Sequence, residues 1–211
     1  MTLPRPFDYA ISAPGRRHEP AGYEEFQSYK PWLRDEFKFR CVYCLFRERW
    51  YGGNGSDSFS VDHLVPRSVQ RGRELEREYK NLTYSCLRCN ASRGVRSILN
   101  PNEHSFHNHL TVNEQNGWIE GLTPLGDKTV RLLKLNQRGV IERRQQSFLI
   151  LSLKDEFPNH PKVHELFVKE FGFPDDLPDL RILKPPKGNP ANSEWSCYYV
   201  LRERGELPEV Y

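Results

Sequence analysis

Apolar residues at Tyr23, Phe26, Tyr29, Leu33 and Phe37 recur at three- or four-residue steps, the spacing of an amphipathic helix from Tyr23 to about Phe37. Pro31 is placed to break or kink it. The breaker-rich run Gly52 to Ser58 then gives way to Phe59-Ser60-Val61, which has strand character and leaves Asp62-His63 at a strand end. Asn81 to Tyr84 reads as a short return segment, and Asn90 to about Ile98 as a short helix carrying Asn90 and Arg93 on one side. Farther on, Asn116 to Gly126 reads as a turn and short extended segment, and a helix is expected to start near Asp127. The apolar positions Val140, Ile141, Phe148, Leu149, Leu151 and Leu153 predict a longer helix to about Phe157. Helices are also expected over Val163 to Phe171 and around Ser193 to Arg204, on either side of a Pro-rich stretch from Pro174 to Pro190. The first 22 residues, with Pro4, Pro6, Pro14, Gly15 and Pro20, read as an irregular arm. The pattern therefore predicts an α+β chain in three parts: an arm over 1–22, a strand-containing core over 23–110, and a mainly helical lobe over 111–211.

Composition changes this picture little. At 211 residues the chain suits one domain of ordinary size, or a core with an appended lobe, and its 12 Phe, 10 Tyr and 4 Trp supply a core despite a hydrophobic content of 37%. No apolar run is long enough to span a bilayer, and the start Met1 to Pro6 lacks an apolar signal core, so no membrane partner and a cytoplasmic location are expected. The net charge of +3 is small, yet its distribution is uneven. From Arg67 to Arg96 stand eight basic residues (Arg67, Arg71, Arg73, Arg77, Lys80, Arg88, Arg93, Arg96) against three acidic ones (Glu74, Glu76, Glu78). Such a cluster attracts a phosphate backbone, although the alternating signs from Arg71 to Glu78 equally suit a solvated loop. Arg138, Arg143 and Arg144 either extend the basic track or line an ordinary exposed helix face.

The cysteines carry more information than the bulk numbers. Cys41-Val42-Tyr43-Cys44 and Cys86-Leu87-Arg88-Cys89 are two C-x-x-C pairs, together the ligand set of a closed tetrahedral structural zinc. In a plain zinc ribbon roughly 15 to 20 residues separate the pairs. Here 41 residues intervene, and they include Asp62-His63-Leu64-Val65-Pro66-Arg67-Ser68 and Asn81-Leu82. The fifth cysteine, Cys197, lies beside aromatic residues and reads as a buried small hydrophobe. His104, His107 and His109 offer a second metal reading, against which stands an exposed strand face or a set of neutral donors.

The order Cys-x-x-Cys, Asp62-His63-Leu64-Val65-Pro66-Arg67-Ser68, Asn81-Leu82, Cys86-x-x-Cys89-Asn90, Arg93-Gly94 resembles the HNH endonuclease family over about Cys41 to Arg96. The resemblance implies a ββα-metal core on a scaffold of two zinc knuckles. It also implies that the residues matching Asp62 and Asn90 hold one catalytic metal, that the one matching His63 is the general base, and that the one matching Asn81 braces the loop. Oxygen donors suit Mg²⁺ or Mn²⁺, and asparagine at position 90 favours magnesium.

Arg67 and Arg93 are candidate phosphate contacts, Arg93 being equally readable as a solvent-facing helix residue. The function implied is metal-dependent DNA hydrolysis, one strand per site, with a homodimer or partner subunits needed for double-strand breaks. The family is common in mobile-element, restriction and phage-defence settings. Two other readings stay open at this stage: a zinc-stabilised nucleic-acid-binding module with a silent or partner-gated site, and an RNA-directed or structure-selective nuclease. No base-reading element is present from which a target sequence could be deduced.

Overall fold

A computed structural model of the chain describes residues 5–10, 15–52 and 54–211. The fold is α+β. The chain forms two compact units that interleave along the sequence: residues 15–90 with 174–208, and residues 1–14 with 91–173 and 209–211. The linear division at 22 and 110 expected from composition thus differs from the grouping of contacts. Residues 1–4, 11–14 and 53 lie outside the described residues, so part of the expected arm and one position of the Gly52–Ser58 turn do too.

The unit over 15–90 and 174–208 is built around a small antiparallel hairpin. A 3-10 turn, Phe26–Tyr29, leads into α1 (Lys30–Glu36). The helix expected from Tyr23 starts late because Pro31 has no N–H and is tolerated only in a first turn, where α1 places it. Strand β1 (Phe59–His63) is joined to β2 (Leu82–Cys86) by a long connection containing α2 (Gln70–Glu74), and α3 (Leu87–Arg93) follows β2 directly. Pairing runs from Phe59 opposite Cys86 to His63 opposite Leu82. Phe59 stacks on Tyr84 at 5.0 Å, and Trp32 and Leu33 of α1 are buried. A two-stranded sheet is marginal alone, so these flanking elements stabilise it. α3 begins three residues before the expected Asn90 and stops at Gly94, whose φ of 54° is the left-handed turn that ends helices at glycine.

Two buried polar networks fasten this unit. Arg34 donates to both oxygens of Glu48 at 3.0 and 2.8 Å, and the Tyr84 hydroxyl donates to the same carboxylate at 2.6 Å. His18 lies 2.8 Å from Asp35 Oδ1 and 2.6 Å from Ser193 Oγ, while the Tyr198 amide donates to Asp35 Oδ2. The stretch after residue 15, which composition assigns to a loose arm, is pinned by a histidine with no exposed surface.

The other unit carries a second hairpin, β3 (Leu110–Val112) and β4 (Ile119–Gly121), then α4 (Pro124–Leu132), α5 (Arg138–Glu156) and α6 (Pro161–Phe171). α4 starts at Pro124, not near Asp127, because Thr123 caps it: its hydroxyl accepts from the Gly126 amide, and Pro124 needs no partner at the first helical position. Arg144 is fully buried and donates to the Leu135 carbonyl at 2.8 Å, and Arg143 pairs with Glu170 at 2.8 Å. Of the three arginines read as a basic track, only Arg138 is exposed, and it pairs with Glu142. The expected final helix resolves into a 3-10 turn, Ser193–Ser196, and α7 (Tyr198–Glu203), which belongs to the first unit. Among the described residues, no helix is long and apolar enough to cross a membrane.

Candidate active site

The two knuckles converge. All four ligand sulfurs, from Cys41, Cys44, Cys86 and Cys89, are buried and lie within 4.8 Å of one another, with Cys44 Sγ and Cys86 Sγ at 3.7 Å. Tetrahedral zinc with bonds near 2.3 Å requires sulfurs about 3.8 Å apart, so the donor set fits this ion. Chemistry agrees with geometry. Burial and the neighbouring thiols push the Cys41 thiol well above its ordinary range, and a dication removes that penalty by binding the thiolate. Four thiolates around Zn²⁺ leave a net charge of −2, and Arg88 donates to Cys89 Sγ at 3.2 Å. The first knuckle is folded by Leu45 N–H to Cys41 O and Cys41 N–H to Phe46 O. Its Val42 amide is bonded to Tyr84 O of β2. His104, His107 and His109 form no such group: His104 and His109 meet edge to face at 5.3 Å, and His109 Nδ1 lies 2.8 Å from the Thr123 hydroxyl.

Alternation along β1 separates its two faces. Phe59, Val61 and His63 share one face with Leu82, Tyr84 and Cys86, whereas Ser60 and Asp62 share the other with their partners Ser85 and Thr83. The Asn90 amide donates to Ser60 Oγ at 2.8 Å, which brings this residue of α3 to the Asp62 face of the hairpin. Asp62 is buried, and its Oδ2 accepts from the Tyr43 hydroxyl at 2.7 Å. Thr83 Oγ1 and Ser85 Oγ are fully buried on this same face and have no hydrogen-bond partner. Two carbonyl-type donors, Asp62 and Asn90, beside orphaned hydroxyls form a hard-oxygen environment that fits Mg²⁺ or Mn²⁺ and not a thiolate-seeking metal.

His63 ends β1. Its Nε2 stands 3.0 Å from the Glu76 carbonyl, and Phe26 meets the ring edge to face at 4.6 Å. A carbonyl only accepts, so Nε2 carries the hydrogen and Nδ1 carries the lone pair. Burial, opposed by the Glu76 carbonyl and reinforced by Arg67, lowers the pKa of His63 below its ordinary value and favours that neutral form. Asn81, also buried, ties down the connection between the strands: Oδ1 accepts from Val65 N–H at 2.8 Å, and Nδ2 donates to Leu75 O at 3.1 Å. Arg67 is half-exposed, pairs with Glu76 at 2.9 Å and lies over the Phe26 ring. Arg93 is 3% exposed, which matches neither the solvent-facing residue nor the surface phosphate contact expected of it.

Residues 41–96, the span containing every one of these groups from Cys41 to Arg93, match the family described as HNH endonuclease. The segment is an HNH endonuclease domain. The chain is also similar to the Septu protein PtuB of Bacillus thuringiensis, with 31% identity over 103 residues. That match takes in 46% of this chain and 37% of the relative, well under two thirds of its length. No solved structure matches significantly. Sequence reasoning missed Tyr43, Ser60, Thr83 and the carbonyl partner of His63. Strict alternation from Asp62 would have found Ser60, whereas the register that sets Thr83 opposite Asp62 and the reach of Tyr43 exist only in the folded chain.

Proposed function

We propose that this chain is a metal-dependent HNH endonuclease that hydrolyses DNA phosphodiester bonds, one strand per site. The observation that supports the reading is that Asp62, two orphaned hydroxyls and Ser60, which accepts from the Asn90 amide, share one face of a hairpin whose last residue, His63, is oriented by the Glu76 carbonyl. Asp62 and Asn90 would hold Mg²⁺ or Mn²⁺, and Cys41, Cys44, Cys86 and Cys89 would hold a structural zinc. A divalent ion bound there supplies charge neutralisation for the phosphate and the departing oxygen.

The protein's own part is positioning and proton transfer. His63 donates through Nε2 to Glu76 O, which fixes the ring and its tautomer, so Nδ1 accepts the proton of the attacking water. Asn81 holds the Leu75 carbonyl, one residue before the carbonyl that orients His63. Exposed Arg71, Arg73, Arg77 and Lys80, with half-exposed Arg67, offer positive charge to a phosphate backbone without reading sequence. Buried thiols kept for a metal suit the reducing cytoplasm. We place the activity in phage defence, one of the settings that the HNH resemblance implies, with a partner subunit or a second copy supplying targeting or the second cut.

The test is conversion of supercoiled plasmid to nicked and linear forms in Mg²⁺, Mn²⁺ or EDTA by the parent and by His63→Ala. Metal-dependent nicking that falls by about 10²- to 10⁴-fold in the variant, with zinc content unchanged, is the expected result. Equal cleavage by both proteins would remove His63 from the mechanism.

A further inference from the structure

Tyr43 belongs to no motif that identifies this site, yet its phenol has no exposed surface and donates to Asp62 Oδ2 at 2.7 Å. At that length a hydroxyl on a carboxylate is a charge-assisted bond, stronger than one between neutral groups. It fixes the plane of the carboxylate, and with it the direction in which the remaining lone pairs can face a cation. Tyr43 is also one of the two residues between the knuckle cysteines Cys41 and Cys44, in a turn held by the Leu45 to Cys41 bond on one side and by Val42 to Tyr84 on the other. The second knuckle does the same for the other ligand, because Asn90 follows Cys89 in α3. Each cysteine pair thus presents one polar residue to the same face of the hairpin.

We propose that Tyr43 is a positioning residue that makes the affinity of the Asp62–Asn90 site for a divalent cation depend on the four-cysteine site. The metal in the cysteines holds the turn, the turn holds the phenol, and the phenol holds Asp62. This inference rests on the reading of Asp62 as a ligand given under Proposed function. Coupling of this kind is reciprocal and appears as a change in binding, not merely in rate.

The experiment titrates Mn²⁺ into full-length, zinc-loaded parent, Tyr43→Phe and Asp62→Ala proteins and follows the free ion by electron paramagnetic resonance. Zinc content, circular dichroism and the Mn²⁺ dependence of nicking are recorded alongside. Tyr43→Phe keeps the ring and removes one oxygen. Its zinc content and fold are expected to equal the parent's, its Mn²⁺ affinity to fall by about 10-fold or more, and its nicking to recover at saturating Mn²⁺. Unchanged Mn²⁺ affinity in Tyr43→Phe, with binding lost in Asp62→Ala, would overturn the role of Tyr43 and leave the site assignment standing. Loss of zinc from Tyr43→Phe would also overturn it, since the hydroxyl would then be acting on the fold. If Asp62→Ala binds Mn²⁺ as the parent does, the ligand assignment itself falls, and this inference with it.

Discussion

Replacement of Asn81 tests the brace on which the orientation of His63 depends. Its amide makes two good bonds to the connection between β1 and β2, from Val65 N–H to Oδ1 at 2.8 Å and from Nδ2 to Leu75 O at 3.1 Å. A longer third contact reaches Val65 O at 3.4 Å. Asn81→Ala removes all three, leaving one backbone donor, Val65 N–H, and two acceptors, Leu75 O and Val65 O, in a partly buried loop. At about 1 kcal/mol for each lost bond, the protein should lose roughly 2 kcal/mol of stability. Asn81→Asp is the sharper variant. It keeps the acceptor for Val65 but replaces the donor with an anionic oxygen facing two carbonyls, at a site 6% exposed, so it should cost at least as much as alanine despite its matching shape. Urea unfolding of zinc-saturated protein at unchanged m measures both. Because Leu75 precedes the residue whose carbonyl orients His63, nicking should also fall, by about 10²-fold for a displacement of about 1 Å. An aspartate variant as stable and as active as the parent would refute the assignment of Nδ2 and the bracing argument with it.

Removal of the two metals should separate. Chelation of the weaker ion stops nicking reversibly, whereas stripping zinc unfolds the knuckles, since ions in comparable sites supply folding free energy on the order of 10 kcal/mol; recovery of zinc-free protein by Mg²⁺ alone, followed by circular dichroism, would contradict this. Gly72→Ala drives a Cβ into the Pro66 carbonyl oxygen in the loop after His63, so the overpacking, about 1–3 kcal/mol, should outweigh the gain in helix propensity of about 1 kcal/mol. Thermal unfolding equal to the parent's would show that this close approach is not present in solution.

Much of this protein is local and was therefore legible in its sequence. The cysteine spacing, the Asp62-His63 dipeptide at a strand end and Asn90 immediately after Cys89 announce the HNH domain, because the residues that carry its pattern are adjacent or regularly spaced in the chain. The long helices followed from their apolar positions, with starts displaced where Pro31 and Thr123 dictate them.

What the sequence could not determine depends on side chains that meet across long separations. Arg143 and Arg144 read as surface charge, yet one pairs with Glu170, 27 residues later, and the other is enclosed among backbone carbonyls. His18 reads as part of an arm until Asp35 and Ser193 close around it. The same holds at the site. Composition supplied a histidine and a carboxylate, but the tautomer of His63 is set by a carbonyl 13 residues away, and the bond on Asp62 comes from a tyrosine 19 residues before it. A motif fixes which groups are present. Only packing decides which oxygen faces which hydrogen, because hydrogen-bond geometry is satisfied by neighbours in space and not by neighbours in the chain.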